Sequence, residues 1–163
     1  VAGREDLIDG GGLVLAAACD LRVASEGVRF AIPEVDLGIP LAWGGIPRLV
    51  REIGPALTKE LVMTCRPFGA DEAKAAGFLN RVVAEDRLDD EVDELAEAVA
   101  SRPRFAVLAT KAHTNAVTEQ MVGLARSWSD ADGLAGGLRD PEGRRAREHC
   151  LEERMRGKHD SDA

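Results

Sequence analysis

The sequence predicts an α/β chain in which short ββα units are followed by a helical C-terminal part. Segments rich in β-branched and apolar residues at 21–24, 28–32 and 78–83 read as strands. Leu88, Val92, Leu95 and Val99 follow one another at spacings of four, three and four, which makes one apolar face of a helix over 86–101. The composition is 45% hydrophobic but only 4% aromatic. It leans helical and predicts a core built from Ala, Leu and Val.

Taken in chain order, residues 13–19 are apolar and Ala-rich and predict a short helix, with Gly10-Gly11-Gly12 just before its first turn. The two strands at 21–24 and 28–32 follow, then a Gly- and Pro-rich loop over 33–45. Ile46–Ile53 and Leu57–Thr64 read as two helices separated by Gly54-Pro55, with Pro55 near the start of the second. A short helix over 71–76 is stopped by Gly77, and Phe78–Val83 forms a strand. After the helix over 86–101, Pro103 breaks the chain before helices at about 104–116 and 118–130. Gly133, Gly136 and Gly137 read as a flexible joint, and Asp140-Pro141 opens a charged helix. This gives a core over 1–102, a helical region over 103–156 and a disordered tail over 157–163.

The 163 residues suffice for one domain with a real core. The net charge of −8 disfavours non-specific nucleic-acid binding. No apolar run approaches the roughly 20 residues of a membrane span, and no secretory signal pattern is present. Cys19, Cys65 and Cys150 are far apart and odd in number, with no CxxC pair. They indicate neither a zinc site nor a disulfide framework, and the reducing cytoplasm is the simpler setting. Cys19 reads as a small core residue. His113, His149 and His159 lack partners at metal or triad spacing, so no metal is expected and surface roles are favoured. The run from Arg144 to Arg156 mixes both signs of charge and reads as a solvated helix face.

Two features carry chemistry. The Gly10–Gly12 run offers backbone N–H groups with no side chains in the way, close to a positive helix end. Amides aimed at one point stabilise a developing oxyanion. Glu34 places one carboxylate among Ile32, Val35 and Leu37, behind a Pro33 that helps fix its direction. A carboxylate against apolar neighbours has a raised pKa and can shuttle protons. Taken singly, a Gly run is more often a turn before a helix, and a loop Glu is more often solvated. Together they suggest chemistry next to a carbonyl.

The wording around these residues is more specific. Gly10-Gly11-Gly12-Leu13 runs on to Ala18-Cys19-Asp20-Leu21-Arg22-Val23-Ala24. Phe30-Ala31-Ile32-Pro33-Glu34-Val35-Asp36-Leu37-Gly38, Gly44-Gly45-Ile46-Pro47-Arg48-Leu49 and Gly77-Phe78-Leu79-Asn80-Arg81-Val82-Val83 follow. In this order and spacing the five phrases resemble the crotonase superfamily, the enoyl-CoA hydratase/isomerase proteins, over roughly residues 10 to 115. The resemblance implies a crotonase-type α/β fold with C-terminal helices used in trimer contacts, as a homotrimer or hexamer. It implies an acyl-CoA thioester substrate and no separate cofactor.

Residue by residue, the resemblance makes Gly11 the oxyanion donor and Glu34 the proton-transfer residue, with Gly10, Pro33, Leu37 and Trp43 about the substrate. Trp43 stands where relatives often have smaller residues; it lines the acyl pocket, or packs in the core or a subunit contact. Lys111 resembles a late-helix residue facing the CoA region, against the plainer reading of an exposed helical Lys. Val14 departs from the pattern: two-glutamate hydratases of this family carry a glutamate two residues after the Gly run. With one carboxylate, an isomerase-type proton shuttle is favoured over a fast hydratase. Family members also have a substantial segment before the Gly run, so the chain reads as a fragment or truncated member. The alternative function is an inactive relative that keeps only assembly surfaces. Val1-Ala2-Gly3-Arg4-Glu5-Asp6-Leu7 imperfectly resembles the family's Ala-Gly-x-Asp-Leu phrase, with one residue too many. Either Arg4 supplies the second oxyanion amide or that donor is missing.

Overall fold

The computed structural model describes residues 2–3, 7–127 and 129–161. Two three-stranded sheets lie at its centre. In the first, β1 (Ala2–Gly3), β3 (Val23–Ser25) and β6 (Arg81–Val83) run parallel in the order β1-β3-β6, with Val23 opposite both Ala2 and Arg81. In the second, β2 (Leu7–Asp9) pairs parallel with β4 (Arg29–Ala31), and β4 pairs antiparallel with β5 (Phe68–Gly69). The parallel pairs need crossovers. Helix α1 (Gly10–Ala17) begins the connection from β2 to β4, burying Leu13, Val14, Ala16 and Ala17 on one face.

The α1 helix starts earlier than its apolar pattern suggests, because the Gly run forms its first turn. Helix α2 spans Gly45–Thr64 and is broken at Gly54, whose φ of 76° and ψ of 166° are non-helical. That break is where the sequence separates two helices, and it gives Pro55 a position needing no i−4 partner. Helix α3 (Ala70–Ala75) ends before Gly77. Phe78 and Leu79 then donate to the Ala73 carbonyl at 2.9 and 3.2 Å. They cap that helix, and the expected strand is confined to Arg81–Val83.

The core is built mainly from Ala, Leu and Val, as the composition predicts, and the few aromatics add to it. Phe30, Phe68 and Phe78 lie at its middle, with Phe30 stacked on Phe68 at 5.2 Å and edge-on to Phe78 at 5.7 Å. Arg22 is buried beside them, its guanidinium 4.8 Å from the Phe78 ring centre. It donates to the carbonyls of Phe78 and Cys19 and pairs with Glu52. A buried guanidinium needs that many partners. Cys19 is half-buried at the end of α1, not in the core.

Beyond the core, α4 (Leu88–Ala100) buries Leu88 and leaves Val92 and Leu95 half-covered. Helix α5 runs unbroken from Arg104 to Met121 and buries no residue. The helix expected over 118–130 is absent: α5 ends before Gly123, and Leu124–Ser127 form a single 3₁₀ turn. Helix α6 (Asp130–Arg139) contains Gly133, Gly136 and Gly137, so these are not a joint. Helix α7 runs from Pro141 to Ser161, into the stretch expected to be a tail; Gly157 is its only breaker after Gly143. Among the described residues, no helix is long and apolar enough to cross a membrane.

Candidate active site

Gly10, Gly11 and Gly12 are the first three residues of α1. Their N–H groups belong to the helix end that has no intrahelical acceptors, and Asp9 at the N-cap makes no side-chain bond to them. Gly10 has φ +42°, in the left-handed region. A Cβ there would also lie 2.9 Å from Glu34 Oε1. Gly is therefore demanded twice, by backbone and by space. A Cβ on Gly11 would instead meet Trp43 Cζ3 at 3.2 Å. The Gly run is thus flanked by a carboxylate on one side and an indole on the other.

Glu34 sits in a turn closed by hydrogen bonds from the Ile39 N–H to the Glu34 carbonyl at 3.0 Å and from the Leu37 N–H to the Pro33 carbonyl at 3.2 Å. The residue is 8% exposed, and its Oε2 is buried without a hydrogen-bond partner among the described residues. Burial pushes its carboxyl above the usual carboxylate range; a hydrogen bond with its own backbone opposes this, and the charge of Asp9 adds to it. Ile32 is buried beside this turn and Pro33 and Leu37 are half-buried, but Val35 is 41% exposed and faces away. Of the three apolar residues expected around Glu34, Ile32 and Leu37 are thus turned inward and Val35 is turned to solvent.

Trp43 is 69% exposed with φ 57°, so it is not a core residue. Gly44, also left-handed, donates its N–H to Asp130 Oδ2 at 2.8 Å, which fixes the turn that carries the indole. Val14 lies on the Gly10 face of α1, one turn on, and is buried in the core beside Leu41 and Gly45. Lys111 lies away from Glu34 and the Gly run. It pairs with Asp20 beyond the other end of α1, at a cavity of about 1060 Å³ between α1, α2 and α5. Arg4 lies outside the described residues. His149 pairs with Glu153 at 3.3 Å on the α7 surface, and His113 is exposed. Among the described residues no cluster of His, Cys, Asp and Glu is placed to hold a metal.

The sequence reading missed Arg147 and Asp130. Arg147 falls in the run read as a solvated face, yet its guanidinium donates to the carbonyls of Leu37, Gly137 and Leu138. The available signal was Gly143, a poor helix former in the first turn of a charged helix, which marks close backbone approach.

Residues 7–134 match the enoyl-CoA hydratase/isomerase family. The short-chain-enoyl-CoA hydratase of Clostridioides difficile is 46% identical over 101 residues, 62% of this chain and 65% of that protein. The crotonyl-CoA hydratase of Syntrophomonas wolfei is 39% identical over 132 residues, 80% of this chain and 51% of that protein. In three dimensions the chain is similar to an enoyl-CoA hydratase/isomerase from Pseudoalteromonas atlantica T6c, with TM-score 0.84 and 27% identity, covering 94% of this chain and 60% of that one. The chain spans about half to two thirds of the length of these relatives. By sequence match and by fold, it belongs to the enoyl-CoA hydratase/isomerase family, within the crotonase superfamily.

Proposed function

We propose that the protein acts on an acyl-CoA thioester, stabilising its enolate oxygen with the Gly11 N–H at the start of α1 and moving a proton with Glu34. The observation that carries this is the buried Glu34 carboxylate packed against Gly10 at that helix start, its Oε2 without a hydrogen-bond partner among the described residues. Free amides and a positive helix end favour a developing negative charge. A carboxyl raised by burial binds a proton more readily than a solvated one, so it can take a proton from one carbon and return it to another. Pro33 and Leu37 hold the carboxylate's turn, and Trp43 walls the acyl side of the Gly run. Coenzyme A enters as part of the substrate.

The relatives named above are hydratases or a hydratase/isomerase, which supports acyl-CoA chemistry in general. The single carboxylate favours proton shuttling over hydration, because hydration must also orient a water and Val14 offers no group to do so. The test is to assay 3-enoyl-CoA isomerisation and 2-enoyl-CoA hydration for the parent and Glu34→Gln. Isomerisation faster than hydration, abolished in Glu34→Gln, is expected. Rapid hydration by the parent would overturn the isomerase assignment. Absence of both reactions would overturn the enzymatic reading in favour of an inactive relative that keeps assembly surfaces.

A further inference from the structure

The loop over 33–44 carries both Glu34 and Trp43, and its outer side is covered by α6 and α7. The contact is backbone against backbone. A Cβ on Gly38 would lie 2.2 Å from Gly143 Cα, and one on Gly143 would lie 2.7 Å from the Gly38 carbonyl oxygen. A Cβ on Gly137 would lie 2.9 Å from that same oxygen and 3.2 Å from Ile39 Cα. Arg147 ties the loop, α6 and α7 together at this seam: Nη1 donates to the Leu37 carbonyl at 3.1 Å and to the Gly137 carbonyl at 3.2 Å, and Nη2 to the Leu138 carbonyl at 3.0 Å. At the far end of the loop, Asp130 holds the Gly44 N–H.

We infer that the α6–α7 hairpin is the setting frame of the active-site loop, with Arg147 as a positioning residue for Glu34 and Asp130 as one for Trp43. Neither touches the reacting atoms. Arg147 acts through the Leu37 carbonyl, in the same turn that the Ile39 N–H closes onto the Glu34 carbonyl. Charge-assisted bonds to carbonyls are stronger than neutral ones. One guanidinium anchored on two α6 carbonyls and bonded to the Leu37 carbonyl therefore ties the turn to α6. The inference rests on the proposed role of Glu34 for its catalytic meaning, but its physical content is the position of a carboxylate.

The test uses the full chain labelled with ¹³C at the Glu carboxyls, with the Glu34 resonance identified by its loss in Glu34→Gln. The titration midpoint of Glu34 is followed in Arg147→Met, Arg147→Lys, Gly143→Ala and Gly136→Ala. Asp9, the charged group whose field reaches Glu34, is unchanged throughout. In Arg147→Met and Gly143→Ala the loosened turn admits water, and the midpoint falls toward the ordinary carboxylate value. Arg147→Lys recovers part of the shift. Gly136→Ala, whose Cβ meets nothing within 4 Å, leaves it unmoved. Where isomerase activity is measurable, kcat falls about 10–100-fold with KM little changed, as for a misplaced reacting group. An unmoved midpoint in folded Arg147→Met and Gly143→Ala overturns the inference even if the parent is active. A parent without activity but with these midpoint shifts leaves the frame standing and removes only the catalytic reading. Loss of the whole fold in both variants also overturns it, since the hairpin would then support the domain and not the loop.

Discussion

Gly10 and Glu34 compete for one volume: a Cβ on the glycine would stand 2.9 Å from the carboxylate Oε1. Gly10→Ala therefore forces the carboxylate to move and also strains a backbone with φ +42°. We expect a stability loss of about 1–2 kcal/mol from the left-handed backbone alone, read from urea midpoints. We also expect isomerase activity to fall by more than the stability loss explains.

Gly11→Pro removes the proposed oxyanion donor at a place where proline is tolerated, the first turn of a helix. Its neighbour, the exposed Trp43 ring, has room to swing aside. Turnover should fall about 10²–10³-fold, the usual loss for one such donor, while circular dichroism stays that of the parent. Gly11→Ala keeps the N–H and should retain most turnover. Unchanged activity in a folded Gly11→Pro protein would remove the oxyanion role.

The raised carboxyl of Glu34 has a defined consequence for stability. Its folded pKa lies above its unfolded one, so the folded state binds the proton more tightly. Its contribution is fully present below the unfolded value, near 4.5, and is lost as pH rises through the folded value. Glu34→Gln cannot ionise. Its melting temperature should exceed the parent's at neutral pH, and the gap should narrow as pH falls toward 4.5. A gap that stays constant across that range would show that Glu34 is not buried as a carboxylate.

Val14→Glu places a second carboxylate on the Gly10 face of α1, one turn on. It should raise hydration relative to isomerisation in paired assays. The site is a core position beside Leu41 and Gly45, so the variant should also lose several kcal/mol of stability if the group ionises there. A folded variant with an unchanged reaction ratio would show that position 14 does not reach the substrate.

Helix α5 buries none of its residues and exposes Phe105 at 84%, with Leu108, Val117 and Met121 also exposed. We expect self-association as trimers or pairs of trimers, measured by light scattering at micromolar concentration. Phe105→Glu should shift the mass downward. A strictly monomeric parent would contradict this.

The parts of this molecule governed by local rules were readable from the chain. Gly54-Pro55 breaks α2 because no side-chain contact is needed to make that kink. The placement of Glu34 beside the Gly run followed from the wording of the motifs, and the structure brings the two within contact. What escaped were features set by distant partners. The glycines of α6 look like a hinge in one dimension, yet they are helical, and the loop at 38–40 lies against two of them, Gly133 and Gly137. Phe30, Phe68 and Phe78 are far apart in sequence, so counting aromatics could not show that three of the four phenylalanines would meet. Arg147 is one arginine among many until Leu37, 110 residues away, supplies its carbonyl.

The seam between Gly38, Gly137 and Gly143 bears on how this sequence can drift. When two side chains touch, a larger one on one side can be answered by a smaller one on the other. Here main chain rests on main chain, and there is nothing left to trim. A methyl group at any of the three positions has no second-site cure within the contact. In a saturation library replacements at these three sites should each lower stability independently, without the paired compensation that ordinary core positions show.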